Sequence, residues 1–254
     1  MLNKRKRGQT TVFIIIGVVI VVGIVLFFIL KGDASEPREP TDEDITNPQQ
    51  YMKTCIEDNV RGTIQLLENN GGYLDNPLNI TFQFDGEPYH DVPYLCYTNT
   101  DNYCTIQDFS IISGMKNRIK NNIESRINNC WDSLIQSYEN KGYSVAQEFN
   151  EFNLNLNEKG LKIKINSSLT ATKDNSSIKE ENFNIIFPTE LYNFGKITNK
   201  IIQSESDHGS FNTIEYTQRN PEYKISTASP GRTTIYRIEH RETNEKFRIA
   251  VKGK

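Results

Sequence analysis

The sequence predicts an α+β protein, with one N-terminal transmembrane helix followed by an extracytoplasmic domain of antiparallel sheets and about three helices. Three observations predict it. Thr11 to Leu30 is an unbroken apolar run. Three later segments carry apolar residues at helical spacing. The stretches between and after them alternate apolar and polar residues and are punctuated by turn-forming Asn, Asp, Gly and Pro. With the anchor set aside, roughly 200 residues remain, enough to bury a core without help from metal or oligomerisation.

The run TVFIIIGVVIVVGIVLFFIL holds no charge and is relieved only by Thr11, Gly17 and Gly23. About 20 apolar residues at 1.5 Å each span a hydrocarbon core of ~30 Å, and a soluble core helix is seldom apolar on every face. Lys4, Arg5, Lys6 and Arg7 precede the run, whereas Asp33, Glu36, Glu39, Asp42, Glu43 and Asp44 follow it. Cations stay on the cytoplasmic side. The expected organisation is a cytoplasmic basic flank (1–10), the spanning helix (11–30), an acidic, proline-rich linker (31–49) and an extracytoplasmic α+β domain (50–254) with a candidate sub-boundary near 143. Pro37, Pro40 and Pro48 block helix continuation in the linker, and its like charges keep it extended.

The flank has a second feature. Arg7-Gly8-Gln9-Thr10-Thr11, between a basic stretch and an apolar run, resembles the class III signal peptide of archaeal type IV pilins and pilin-like proteins. The resemblance implies cleavage between Gly8 and Gln9 by a dedicated membrane peptidase, with the helix retained as an anchor. The chain departs from many pilins at the fifth mature position, where it has Phe13 in place of Glu. An uncleaved signal anchor is the alternative expectation. A filament-forming pilin generally continues its membrane helix into an amphipathic half. Prolines and carboxylates follow the run here, so the anchor reads as a tether.

At the end of the linker, Asn47 and Pro48 predict a helix start. Met52, Ile56, Val60, Ile64 and Leu67 form one stripe, and Asn70-Gly71-Gly72 stops it. Asn79–Phe84 reads as a strand. Tyr89–Tyr97 reads as another, expected at a sheet edge because of Pro93. Ile111, Met115, Ile119, Ile123, Ile127, Trp131, Leu134 and Tyr138 predict a long helix over about Gln107 to Glu139. Phe149–Leu156 and Leu161–Ala171 flank Asn157-Glu158-Lys159-Gly160 as a hairpin, with a third strand at Ile178–Phe187. Pro188 is expected to open a helix with the stripe Leu191, Phe194, Ile197, Ile201 and Ile202. The tail predicts strands at Tyr223–Thr227, Thr233–His240 and Lys246–Val251.

The segments CIEDNVRGTIQLLENNGGYLD and DVPYLCY, a long helix ending NNCWDSL, and FRIAVK near the end together resemble a family of membrane-anchored exported proteins of small-genome archaea. That resemblance implies the topology and no particular chemistry.

All four cysteines (Cys55, Cys96, Cys104 and Cys130) lie after the apolar run. An even number in an exported domain predicts disulfides. Cys96 and Cys104 flank a turn, and Cys55 and Cys130 sit on two expected helices, so the expected bridges are Cys96–Cys104 and Cys55–Cys130. The alternative joins Cys55 to Cys96 and Cys104 to Cys130. No Cys-x-x-Cys pair calls for metal. His90, His208 and His240 share no motif with a nucleophile, and no phosphate loop or hydrolase signature is present. The expectation is therefore no catalytic site, no cofactor and no metal. Three sequons are candidate glycosylation sites, at Asn79, Asn166 and Asn175. The mild acidity, a net charge of −3, disfavours nucleic acid as a partner. The function expected is a cell-surface binding or interaction domain whose partners are the lipid bilayer and an envelope protein or glycan. The alternatives are a pilin-like subunit that self-assembles through its apolar helix, and an exported enzyme.

Overall fold

A computed structural model describes residues 46–75 and 78–253. The basic flank, Gly8, Gln9, the apolar run and linker residues 31–45 lie outside the described residues. Among the described residues no helix is long and apolar enough to cross a membrane.

The first helix, α1 (Pro48–Asn69), begins as the sequence predicts. The Asn47 side chain accepts the Gln50 N–H at 3.0 Å, and Pro48 occupies the first turn, where its missing N–H has no partner to lose. The whole predicted stripe is buried. Gly71 and Gly72 then turn the chain with φ of +54° and +92°. A side chain at Gly71 would meet the Arg248 carbonyl oxygen at 2.4 Å, so α1 ends pressed against the last strand.

Next come β1 (Asn79–Phe82), β2 (His90–Tyr97) and β3 (Thr105–Ile106), then the long helix α2 (Ile111–Asn140). Its predicted stripe is buried throughout. The helix starts four residues later than expected: Thr105 and Ile106 pair with Tyr97 and Cys96 as a short strand, and Asp108 Oδ1 then accepts the Ser110 N–H at 2.8 Å just before the first turn. The strands β4 (Ser144–Asn157), β5 (Gly160–Lys173) and β6 (Ser176–Phe187) form the antiparallel meander that their alternation predicts. Helix α3 (Leu191–His208) starts three residues after Pro188. The short α4 (Thr213–Arg219) was not expected from the sequence; none of its residues is buried, so it carries no stripe to read. The chain ends with β7 (Tyr223–Ala228), β8 (Thr233–His240) and β9 (Lys246–Lys252).

The second sheet is mixed. Its order is β1-β2-β9-β8-β7, with β3 also on β2, and the β2–β9 pairing is parallel. This corrects the reading of β2 as an edge strand. β1 ends its register opposite Pro93, and the ladder to β9 begins only at Tyr94, so the proline falls where its missing N–H interrupts neither.

One hydrophobic cluster draws on α1, α2, α3 and both sheets. A smaller one joins Phe84 of the loop between β1 and β2 to Val92, Ile235 and Ala250. Disulfides join Cys55 on α1 to Cys130 on α2, with a Cα separation of 6.0 Å, and Cys96 on β2 to Cys104 beside β3, at 5.2 Å. Two hydrogen bonds brace the α1–α2 contact: Arg126 Nε donates to the Cys55 carbonyl at 2.9 Å, and Asn122 Nδ2 to Thr63 Oγ1 at 2.7 Å.

Candidate functional site

Strand alternation builds the polar site. On β9, Phe247, Ile249 and Val251 enter the main core, which sends Lys246 and Arg248 to the other face. Antiparallel pairing sets Arg237 of β8 directly opposite Arg248. Two arginines so placed repel unless an anion lies between them. Glu87 supplies it. The β1–β2 loop reverses at Phe84–Glu87, with the Glu87 N–H donating to the Phe84 carbonyl at 3.0 Å and Gly86 at φ +77°. The Glu87 carboxylate accepts from Arg237 Nη1 at 3.1 Å, Lys246 Nζ at 2.7 Å and Arg248 Nη2 at 2.7 Å. Burial works to raise its pKa, but the bonds from Lys246 and Arg248 and the charges of Arg248 and Arg237 bring it down to about 2. Arg248 is only 4% exposed, and its Nη1 also donates to Asn69 Oδ1 at 3.2 Å.

Beside this cluster lies a cavity of about 380 Å³ between the C-terminal half of α1 and the β8–β9 turn, with Arg61, Glu68, Asn69, Asn244, Glu245 and Arg248 in its walls. Glu68 is its distinctive group. Burial, and then the adjacent Glu245 carboxylate, push the Glu68 pKa up to about 9, against the opposing pull of Thr189 and Arg248. Burial and the facing carboxylate thus favour the protonated form of Glu68, the form that can donate to Glu245. Glu245 also accepts the Glu190 N–H at 2.6 Å, just before α3. That places a carboxylate at a helix N-terminus, where the dipole favours it. Glu68 Oε1 is buried without a hydrogen-bond partner among the described residues. The cleft thus offers a carboxyl oxygen as acceptor, a carboxylate, side-chain amides and cations to a small polar ligand.

The carboxyl pair has a measurable consequence. Between about pH 4.5 and 9 the folded protein holds a proton on Glu68 that the unfolded chain releases. This contribution to stability is complete below the unfolded pKa and is lost as pH rises through the folded one. Glu68→Gln, which has no such proton to release, should therefore stabilise the domain at pH 8 by about 1–3 kcal/mol, a discounted share of the roughly 1.4 kcal/mol per pKa unit of the shift, and flatten the stability profile above pH 5. Urea unfolding at pH 5, 7 and 9 measures this. Parallel profiles for variant and wild type would show that the pair carries no shared proton.

The residues singled out in the sequence lie mostly elsewhere. His90 approaches the Glu87 cluster: its Nε2 is buried without a hydrogen-bond partner among the described residues. Burial, then the charges of Arg248 and Lys246, lower its pKa against the pull of Glu87. Its neighbour Asp91 accepts instead from Thr81 Oγ1 at 2.7 Å, across the strand pair. His208 ends α3, and Asp207 accepts from Gln203 Nε2 at 2.9 Å. His240 Nδ1 lies 3.1 Å from Thr243 Oγ1 at the rim of the cleft. The three histidines do not meet. Among the described residues no three His, Cys, Asp or Glu side chains converge as metal ligands. Asn79 opens β1, Asn166 lies within β5, and Asn175 lies in the β5–β6 turn. Sequence reasoning missed Glu68, Glu87 and Glu245. The one available signal was the inward Arg in two strands, Arg237 and Arg248, each of which calls for a carboxylate partner.

Comparison with known protein families, with curated proteins and with solved structures finds no match for this chain.

Proposed function

We propose that the chain is a single-pass, membrane-anchored cell-surface protein whose folded domain binds a partner outside the membrane. The observation that carries this is the pair of disulfides, Cys55–Cys130 and Cys96–Cys104, in a chain whose apolar run has cations before it and carboxylates after it. Disulfides persist in oxidising compartments, and the charge asymmetry independently supports the outer side for the same segment. The partner is an envelope protein or glycan, and the cleft beside Glu68 is the candidate binding surface. Its mix of neutral carboxyl, carboxylate, amide and cation suits a hydroxyl-rich or zwitterionic group. Pro37, Pro40 and the acidic residues around them disfavour a continuous helical spine, and hence assembly as a pilin-like filament. Processing between Gly8 and Gln9 belongs to the same reading, since the anchor survives it.

Protease added to intact cells tests the topology. The expected result is digestion of the folded domain, with a short N-terminal fragment protected in the membrane. Mass spectrometry of that fragment should find Gln9 as the first residue. Protection of the whole domain would reject the surface reading, whereas a fragment that starts at Met1 or Leu2 would replace processing with a plain signal anchor.

A further inference from the structure

We propose that Asn175 is the N-glycosylated residue of this domain. The inference rests on the surface reading above, because an acceptor asparagine must reach the compartment where glycans are transferred. A sequon alone is a weak signal in a chain this rich in asparagine, but the fold presents its three sequons very differently.

Asn175-Ser176-Ser177 occupies the tip of the β5–β6 hairpin. Lys173 and Ser176 are the last pair of the ladder, leaving Asp174 and Asn175 as a two-residue turn. Asp174 takes a φ of +50°, and residues 172–177 are all exposed. Neither the Asn175 nor the Ser177 side chain is held by a hydrogen bond among the described residues. A transferase must grip three consecutive residues and have the asparagine amide and the Ser/Thr hydroxyl free. Opening the last rungs of a hairpin provides that while the sheet behind stays paired.

The other two sequons are engaged. Asn166-Ser167-Ser168 lies mid-strand at a register shift in β5. Asn166 Nδ2 donates to Glu151 Oε1 at 3.4 Å, and Ser167 is 6% exposed. Asn79-Ile80-Thr81 is paired along β1 from its first residue. Its hydroxyl, Thr81 Oγ1, donates to Asp91 at 2.7 Å. Presenting either sequon would require a strand to leave its sheet.

The donor class is a glycan carried on a lipid-linked phosphate or pyrophosphate. Asn175 Nδ2 attacks the anomeric carbon, and a C–N bond forms as the bond from that carbon to the phosphate oxygen breaks. The lipid phosphate leaves with the electron pair, and the amide proton passes to a base on the transferase. No oxidant or reductant takes part.

The test is peptide mass spectrometry of the full chain purified from the membranes of its own cells. The peptide containing Asn175 should carry a glycan on most molecules, and the Asn79 and Asn166 peptides should be bare. Asn175→Gln and Ser177→Ala should each abolish the mass increment, Ser177→Thr should keep it, and Asn166→Gln should leave it unchanged. A bare Asn175 on protein that external protease digests on intact cells overturns this inference and leaves the surface reading standing. A glycan on Asn79 or Asn166 in place of Asn175 overturns the accessibility argument. Bare protein that is also protected from protease overturns both.

Discussion

Glu87→Gln should destabilise the domain by about 3–5 kcal/mol, the usual result of removing one partner from a buried ion cluster. The substitution keeps the shape of the side chain and takes away the carboxylate that pairs with both Arg237 and Arg248, which stand opposite each other across β8 and β9. The Glu87 side chain is 9% exposed, Arg248 5% and Arg237 14%, so solvent replaces the lost anion only in part. Lys246 would lose its partner as well. Denaturant unfolding should show a lower midpoint with an unchanged m-value. The wild type adds a pH signature. The Glu87 pKa falls from 4.5 to about 2 on folding, so its contribution is complete above pH 4.5 and is lost as pH falls towards 2. The variant should lack that acid-side loss. Removing Arg248 as well should cost less than the sum of the single changes, because the second substitution removes a charge the first left unpaired. A loss under about 1 kcal/mol, the scale of an exposed ion pair, would mean that the cluster is hydrated and does not hold the β1–β2 loop on the sheet.

The second large effect is expected at the helix–helix disulfide. The two bridges close loops of very different length, with sequence separations of 75 and 8. In the chain-entropy account the long one contributes about 4.5 kcal/mol and the short one about 2.5 kcal/mol. Cys55→Ser with Cys130→Ser should therefore lower stability by about 2 kcal/mol more than Cys96→Ser with Cys104→Ser. All four cysteines are buried to a similar degree, so burying a serine hydroxyl adds comparable penalties to both and leaves the difference to the loops. Loss of the long bridge should also speed hydrogen exchange along α1, which Cys55, Arg126 and Asn122 fasten to α2. Peptide mapping of non-reduced protein establishes the bridges beforehand. Equal losses for the two pairs would mean that residual structure in the unfolded chain, and not loop length, sets their value.

Helix stripes such as Met52–Leu67 and Ile111–Tyr138 are properties of neighbouring residues, as is the alternation of β4 and β5. A helix or strand must bury one face, so its period shows in the sequence before any partner is known. The cap at Asn47, the turn at Asn157–Gly160 and the use of the cysteines in disulfides are local or compositional in the same way. Where no face is buried, as in α4, there was no period to read. The anchor and its direction likewise follow from the sequence as expectations.

Only the tertiary structure decided which faces meet. The parallel β2–β9 pairing brings residues more than 150 positions apart into one sheet and takes Pro93 off the edge. That pairing, with the fold-back of the β1–β2 loop, puts Glu87 on Arg248, 161 residues away. The docking of the end of α1 against the β8–β9 turn puts Glu68 on Glu245 and raises its pKa. Neither carboxylate lies in a motif, because its chemistry comes from neighbours supplied by distant segments. Local sequence sets the period of an element; burial and pairing between elements set the charge environment in which a side chain works.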